Sequence, residues 1–199
     1  MTATARVESK KMIKKNALLD AAFDLFAKAG VHGATIDQIV EKAGVAKGTF
    51  YLYFKNKYDI LDMIVIRKTS ALLRDAIMAS KTRSFTDRID EVLCVADYLI
   101  DHLTQDKLMM RIIHKNLSFS LYQKVLNDPA RGAELKKIVE EFKKNVICDG
   151  YSEQEIDHLP FILLEMIGSV CYSSIINNEP APLGVVKPIL LKTIRKILA

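Results

Sequence analysis

The amino-acid sequence predicts an all-α fold in two parts. Apolar residues recur at helical spacing through most of the chain, and no stretch shows the apolar–polar alternation of a strand. Helix-start signals, such as Thr35 with Gln38 and the pair Asp128-Pro129, separate the helical segments. With 199 residues, 50% of them hydrophobic, the chain can bury one sizeable core or two small ones. We expect an N-terminal three-helix domain over residues 1–57 and a larger helical domain over residues 58–199.

The first helix follows an arm of small and polar residues, Met1 to Ser9. Its apolar stripe runs from Leu18 to Phe26, and Gly30 is expected to end it. Four lysines stand at its start, where positive charge opposes the helix dipole, so helix stability does not explain them: Lys10, Lys11, Lys14 and Lys15. A contact with nucleic-acid phosphate and a frayed, solvated cluster are both open.

Two short helices joined by a tight turn are predicted between Thr35 and Lys57. Thr35 and Gln38 have the spacing of a capping box, in which each side chain satisfies an orphan amide at the helix start. Gly44 ends this helix, because glycine adopts a left-handed conformation at little cost. A second helix starts at about Ala46, so the pattern is that of a helix-turn-helix, whose second helix enters the DNA major groove.

The exposed side of this second helix has side chains suited to DNA. Lysine supplies charge for phosphates, hydroxyl groups fix the register, and Gly48 permits close backbone approach. Leu52 is either a contact to a thymine methyl group or a spare apolar residue. The predicted DNA-binding residues are Thr35, Lys47, Gly48, Thr49, Tyr51, Leu52, Tyr53 and Lys57. An ordinary helical hairpin with a glycine turn is the alternative.

The distribution of charge favours nucleic acid as the partner of this segment. Up to Lys57 the chain has 10 Lys and Arg against 5 Asp and Glu, whereas the remainder has 19 of each. Nucleic-acid binders place charge in this way, because neutralised phosphates release counterions. A solvated basic face would give the same count, but it would not need to coincide with the motif.

Residues from about Leu18 to Leu61 resemble the DNA-binding domain of the TetR (tetracycline-repressor) family of transcriptional regulators. The residues that carry the resemblance are Phe26, Gly30, Thr35, Ile39, Ala43-Gly44-Val45, Lys47-Gly48-Thr49-Phe50-Tyr51, Tyr53-Phe54, Lys57 and Leu61. Tyr53 is a departure, since many members carry histidine at that position. The resemblance implies a ligand-binding and dimerisation domain after this one.

A long linking helix is predicted from about residue 57 to 80, because that segment has neither proline nor glycine. Asn56 is expected to cap it, with Asp59 as the reciprocal partner. The remainder also has helical periodicity, with Ser152 and Glu155 opening one helix and Pro160 expected to kink it or delay its start.

The last two helices have more apolar surface than one packing face needs, and they include several small residues. Twofold operators require twofold proteins, and in the family the last two helices pair across the dimer. We therefore predict a homodimer with an interface that includes Ile167, Gly168, Cys171, Ile175, Val186, Ile189, Leu190 and Ile194. An intramolecular core is the alternative.

The apolar middle of the second domain is the predicted site of a small, partly apolar effector. Methionine and aromatic side chains suit an adaptable pocket, and the candidates are Tyr98, Met109, Met110, His114, Phe119 and Met166. Each of them is equally compatible with plain core packing, and Tyr98 also with an exposed position. The family's C-terminal domains diverge, so the resemblance does not identify the ligand.

Catalytic residues, metal ligands and cofactor motifs are not evident. The sequence has no Gly-rich phosphate loop, nucleophile elbow or zinc-type Cys/His spacing. The cysteines Cys94, Cys148 and Cys171 are far apart, which favours free thiols in a reducing cytoplasm. No uninterrupted apolar run reaches membrane-spanning length, so no membrane partner is expected.

These observations predict a cytoplasmic regulator that binds a palindromic operator on double-stranded DNA as a dimer. A repressor released by its effector is the expected mode of action. Two alternatives remain at this point: a sequence-independent architectural DNA-binding protein, and a helical enzyme with a decorative helix-turn-helix.

Overall fold

The computed structural model describes residues 3–145 and 151–199, and in these ranges the chain is helical without strands. The α-helices in chain order are α1 Ala3–Gly33, α2 Ile36–Ala43, α3 Lys47–Tyr51, α4 Lys57–Ser80, α5 Arg88–Gln105, α6 Lys107–Asn116, α7 Phe119–Leu126, α8 Pro129–Asn145, α9 Glu153–Tyr172 and α10 Leu183–Leu198. A π-helical turn, Ser173–Asn177, continues α9. The predicted all-α class is confirmed.

The chain divides into two compact units, Met1–Val65 and Ile66–Ala199. The division lies inside α4, whereas the sequence placed the domain boundary at the start of that helix. The predicted domain boundary between residues 57 and 58 therefore stays a prediction. The predicted long helix from about residue 57 to 80 is confirmed by α4.

In the first unit, α1 is interrupted at Gly30, whose backbone has φ 70° and ψ 166°. A Cβ atom there would meet no neighbour within 4 Å, so glycine is required for its backbone conformation and not for space. The predicted break at Gly30 is thus present, although helical residues continue to Gly33. The arm predicted over residues 1–9 differs: its described residues, 3–9, are helical, because they contain neither proline nor glycine to break the helix.

Helix α2 is fixed at both ends by the predicted signals. The Thr35 hydroxyl accepts a hydrogen bond from the Gln38 amide at 3.2 Å, and the Gln38 side chain accepts one from the Thr35 amide at 2.9 Å. Gly44 has φ 66°, and its amide and that of Val45 bond to the last carbonyls of the helix. Helix α2 then packs against α1 and α3, which holds the two short helices in a fixed relation.

The core of the first unit is formed by one side of each helix. Phe50 and Phe54 are fully buried, with ring centroids 5.6 Å apart. The other buried residues of this core include Leu18, Leu19, Ala22, Phe26, Ile39, Ile60 and Ile64. Asn56 caps α4 as predicted, accepting from the amides of Tyr58 and Asp59. The Asp59 carboxylate accepts a hydrogen bond from the backbone amide of Lys55 at 3.0 Å.

The second unit is a bundle in which α9 is the central element. Helix α9 packs against α5, α6, α8 and α10, and α5 also packs against α6 and α10. Ser152 and Glu155 form the predicted capping box at its start. Pro160 lies inside α9 and does not delay it, because the capping box starts the helix seven residues earlier, at Glu153. Cys148, one of the three cysteines, lies outside the described residues.

Ion pairs cross between α5 and α10. Lys187 contacts Asp97 at 2.7 Å and Asp101 at 2.5 Å, and Arg195 contacts Asp90. Burial acts to lower the pKa of Lys187, but the hydrogen bonds and charges of the two aspartates together raise it above its ordinary value. These pairs set the register of α10 on α5.

The segment Glu153–Asn177 is long and apolar enough to cross a membrane by length and composition. Glu165 interrupts it, and it packs against four helices of the same unit as a core helix does. Only 28% of its most apolar stretch is buried within one chain. Much of the apolar surface of α9 is therefore not buried within one chain.

Candidate functional site

The outward side of α3 presents the group of residues that the sequence selected. Phe50 is the buried anchor of α3, and it fixes the rotation of this short helix. Tyr51 and Leu52 are 54% and 79% exposed. Lys47 and Gly48 are also exposed, while Thr49 and Tyr53 are half-buried. The structure therefore brings six of the eight predicted DNA-binding residues together on α3 and the turn that follows it.

Lys47 is held at the start of α3 by an ion pair. Its ammonium group lies 2.7 Å from a carboxylate oxygen of Asp37, and both side chains are exposed. The hydrogen bond and the charge of Asp37 raise the pKa of Lys47, with a smaller contribution from Tyr51. Lys47 is thus fully charged at neutral pH, but a phosphate would have to compete with Asp37 for it.

The other two predicted residues have structural contacts. Thr35 is the N-cap of α2, as described above, so its hydroxyl is already engaged. The Lys57 ammonium donates to the carbonyls of His32 and Ala34 at 3.1 and 3.3 Å. Lys57 therefore satisfies carbonyls at the end of α1, and its contribution to DNA binding stays a prediction.

Gly48 is the position where the absence of a side chain needs an explanation. It is the second residue of α3, and a Cβ atom built on it would meet nothing within 4 Å. Glycine inside a helix costs roughly 1 kcal/mol relative to alanine, and nothing in the free protein requires it here. A surface that approaches α3 from outside would explain it.

The predicted interface residues of α9 and α10 fall into two groups. Ile167, Cys171, Leu190 and Ile194 are buried within a single chain, so they belong to its core and correspond to the intramolecular alternative. Gly168, Ile175 and Val186 are half-buried, and Ile189 is 61% exposed. The exposed apolar surface also includes Ile162 and Val185, which the sequence did not select.

A cavity with a volume of about 490 Å³ lies in the second unit. Its walls come from α4, α5, α7, α8, α9 and α10, and they are mostly aliphatic, with Leu73, Ile77, Val92, Val95, Leu99, Leu163, Leu164 and Ile167 among them. Charged residues at its edge are Lys81, Arg88, Glu91, Glu141 and Lys144. Tyr122 also lines it, and burial raises the pKa of this phenol to about 12, with a further contribution from Asp157.

A polar cleft of about 380 Å³ adjoins this cavity. The two share Ser80, Lys81, Arg88 and Glu91, and the cleft adds Arg83 on the α4–α5 connection. Arg88 is paired with Glu91 at 3.1 Å. Asp87 also lines the cleft, which therefore has three basic side chains and two acidic ones. The mostly aliphatic cavity thus adjoins a charged cleft.

The six predicted effector-pocket residues are placed elsewhere. Met110 and His114 line a separate cavity of about 30 Å³, and of the five whose side chains the structure describes, none lines the cavity of about 490 Å³. Met109 is buried, Tyr98 is half-buried and stacks on His102, and Met166 is half-buried. The side chain of Phe119 lies outside the described residues. The actual lining comes largely from ordinary Leu, Ile and Val positions, which carry no sequence signal that separates a cavity wall from a filled core.

Among the residues that the structure describes, no three His, Cys, Asp or Glu side chains are grouped so that they could hold a metal ion. Cys171 is buried and Cys94 half-buried, and both are free thiols. Burial raises the pKa of the Cys171 thiol to about 11, and nearby Lys187 only partly offsets this.

Comparison with known proteins supports the reading of the first unit. Residues 18–64 match the model for bacterial regulatory proteins of the tetR family. The fatty acid metabolism regulator protein of Bacillus subtilis (strain 168) is 48% identical over 52 residues, which cover 26% of this chain and 27% of that protein. The transcriptional regulator BetI of Klebsiella pneumoniae (strain 342) is 39% identical over 66 residues, or 33% of each chain. The matches span only about a quarter to a third of these relatives.

Solved structures extend the similarity of fold to nearly the whole chain. The transcriptional regulator FadR of Bacillus subtilis, solved with stearoyl-CoA, has a TM-score of 0.65 at 21% identity, covering 92% of this chain and 98% of that one. A TetR family transcription regulator from Marinobacter aquaeolei VT8 has a TM-score of 0.58 at 16% identity, covering 96% and 98%. The helical second unit therefore has the same general architecture as theirs.

Proposed function

Since this chain belongs to the TetR family of bacterial regulatory proteins, we propose that it is a ligand-responsive transcription factor. It binds a palindromic operator on double-stranded DNA as a homodimer, and a small-molecule effector releases it, so that it acts as a repressor in the cytoplasm. The observation that carries this proposal is the outward side of α3, which presents donors, a cation and a bare glycine in the matched domain.

The roles of the α3 residues follow from their chemistry. Lys47 neutralises a phosphate, and the hydroxyl groups of Thr49, Tyr51 and Tyr53 donate to phosphates or to base edges. Gly48 lets the DNA backbone approach α3 closely. Leu52, the most exposed of the large apolar residues described, contacts a thymine methyl group, the apolar feature of the major groove.

The dimer interface is formed by the apolar surface that α9 and α10 leave uncovered in one chain. Its centre is the set of exposed and half-buried residues Ile162, Ile175, Val185, Val186 and Ile189, with Gly168 allowing close helix approach. A monomer that exposed this surface would be prone to association. Twofold symmetry would place two α3 helices on two operator half-sites.

The effector site is the cavity of about 490 Å³, whose volume falls in the range of small-molecule sites. Aliphatic walls and a basic edge select an elongated apolar molecule with an anionic group, the apolar part inside and the charge near Lys81, Arg83 and Arg88. The proteins named above include a fatty acid metabolism regulator and the transcriptional regulator FadR, which was solved with stearoyl-CoA, a molecule of this class.

Release from DNA requires that the effector prefer one of two arrangements of the dimer. It can shift the population only by as much as its affinities for the two differ. Leu73 and Ile77 of α4 line the cavity, and α4 starts at Lys57 in the DNA-binding unit. A displacement of this helix by a bound effector is the proposed route of communication.

The test begins with duplexes selected by the protein from a randomised pool. Wild type should select a palindrome and bind it at least about a thousandfold tighter than random DNA of equal length, in the range of specific binders. Lys47→Ala should lower affinity and reduce the salt slope by about one unit. Lys28→Ala, an equal charge change at an exposed site on α1, is the control and should do neither.

Equal affinity for selected and random duplexes would favour the architectural alternative and contradict specific regulation. A salt slope unchanged in Lys47→Ala would contradict the placement of α3 on DNA. Effector release is tested by adding fatty acids and their coenzyme A thioesters to the complex, and operator binding unaffected by any of them would contradict the proposed ligand class.

A further inference from the structure

The cavity of about 30 Å³ shares a wall with the proposed effector cavity. Four apolar side chains line both of them: Leu73, Leu99, Leu164 and Ile167. The small cavity is therefore the neighbour of the large one across a single layer of aliphatic side chains, which can change rotamer. Its volume is that of one water molecule or one hydroxyl group.

The two cavities lie in sequence along α4 and α5. On α4, Ser80 lines the large cavity next to the basic side chains, and Thr69 lines the small cavity. At the rise of an α-helix, these two residues are about 16 Å apart along the helix axis. On α5 the order is reversed, since Arg88 is at the edge and Leu103 lines the small cavity, about 22 Å away. The small cavity is thus the inner end of an elongated space.

This inner end has polar side chains in an otherwise apolar region. Thr69 is only 5% exposed, and its Oγ1 has no hydrogen-bond partner among the described residues. His114 and Glu165 also line the cavity, and the His114 ring stacks on Tyr172 at 4.2 Å, which holds it in place. Valine has the shape of threonine without the hydroxyl, so packing alone does not explain a buried threonine here.

We propose that Thr69, His114 and Glu165 form a polar subsite that hydrogen-bonds a hydroxyl group at the far end of the effector. The effector is then an elongated aliphatic molecule with an anionic group at the basic edge and a hydroxyl at the other end. This inference rests on the proposed function, because it assumes that the cavity of about 490 Å³ holds the effector.

The polar groups of this subsite can both donate a hydrogen bond to such a hydroxyl and accept one from it. A threonine hydroxyl donates and accepts, a neutral imidazole donates through one nitrogen and accepts through the other, and a carboxylate accepts. An effector hydroxyl that enters would give Thr69 Oγ1 a partner. A plain alkyl end would leave the threonine unsatisfied and bring apolar atoms against a polar wall.

The test compares fatty acids with their ω-hydroxy forms at the same chain length, over a series of lengths, by calorimetric titration of the full chain. Wild type should bind the ω-hydroxy form more tightly at the length that reaches the subsite, by about fivefold to tenfold for one neutral hydrogen bond. Thr69→Val should abolish this preference and leave the affinity for the plain acid within about twofold. Thermal unfolding of the variant checks that it is folded.

Ser70→Ala is the matched control, because it removes a buried hydroxyl from the neighbouring position of α4 that lines neither cavity. It should keep the preference. Equal affinities for the two acids in wild type, or a preference that survives in Thr69→Val, would overturn the subsite and assign the small cavity to an internal water. If neither acid binds wild type or alters operator binding, the effector class itself is refuted, which distinguishes failure of the proposed function from failure of the subsite alone.

Discussion

Gly48→Ala is expected to stabilise the free protein and weaken its complex with DNA. Gly48 is exposed, lies second in α3, and has no atom within 4 Å of an added Cβ. Its φ is not in the left-handed region that favours glycine, since only Gly30 and Gly44 among the described glycines have a positive φ. The alanine methyl group therefore fits the free protein without strain.

The two effects have different sizes and opposite signs. Alanine gains up to about 1 kcal/mol of helix propensity over glycine, which corresponds to a rise of about 2–4 °C in Tm for a chain of this size. On DNA, the same methyl group would intrude where the phosphate backbone approaches α3. Overpacking of a tight contact costs about 1–3 kcal/mol, which lowers DNA affinity roughly 5-fold to 150-fold.

Thermal unfolding and DNA titration on the same preparations measure both effects. Gly184→Ala is the control, because Gly184 is also the second residue of a helix and also has open space around an added Cβ. The control should raise Tm and leave DNA affinity unchanged. If Gly48→Ala raises Tm and still binds the selected operator as tightly as wild type, α3 does not approach DNA at this position and the proposed orientation is wrong.

Three further outcomes follow from contacts described above. Lys57→Met removes two hydrogen bonds to carbonyls near the end of α1, so urea titration should show a free energy of unfolding lower by about 1–2 kcal/mol. Lys47→Met should not show this decrease, and equal decreases in the two variants would contradict a structural role for Lys57. Asp37→Asn removes the partner of Lys47, so the affinity for DNA should increase, and it should decrease more steeply as salt is added. A lower affinity would show instead that the ion pair positions the lysine. Burial raises the pKa of the Cys171 thiol to about 11 from an ordinary 9.0, so at pH 9 iodoacetamide should modify the half-buried Cys94 before Cys171. Equal alkylation rates of the two thiols would contradict the burial of Cys171. Because the unfolded thiol ionises at lower pH than the folded one, Cys171 should also lower the free energy of unfolding as the pH rises from about 9 to 11.

Local signals in the sequence predicted the first unit well. The Thr35–Gln38 capping box, the left-handed Gly44 and the Asn56 cap each depend on residues within a few positions of one another. Such hydrogen bonds form wherever the chain turns into a helix, so sequence spacing is sufficient to predict them. The start of α4 was predicted for the same reason.

Predictions that depend on distant packing were less accurate. Helix α9 is apolar on most of its circumference, so periodicity cannot say which side faces its own bundle and which faces a partner. Ile167 and Cys171 are accordingly in the core, while Ile162 is exposed. The two carbonyls that Lys57 contacts lie 25 and 23 residues away in the chain, and no spacing rule indicates them.

The cavity could not be predicted for a related reason. A cavity is a volume that neighbouring side chains fail to fill, and its lining is chemically the same as that of a filled core. Thr69 was a detectable exception, because a hydroxyl among the buried positions of α4 breaks its apolar pattern. A search for single polar residues inside apolar stripes would have identified it and Glu165 together.

An uncovered apolar strip includes Ile162, Val185 and Ile189. If this strip pairs two copies as proposed, the stability of the folded protein depends on its concentration. When folding is coupled to dimer formation, each dilution favours the unfolded chain by mass action, and each binding site on DNA adds to the folded population. A chain without a partner would unfold more often and would be degraded faster than a paired one. The apolar strip that pairs two copies would then also limit how long an unused copy persists.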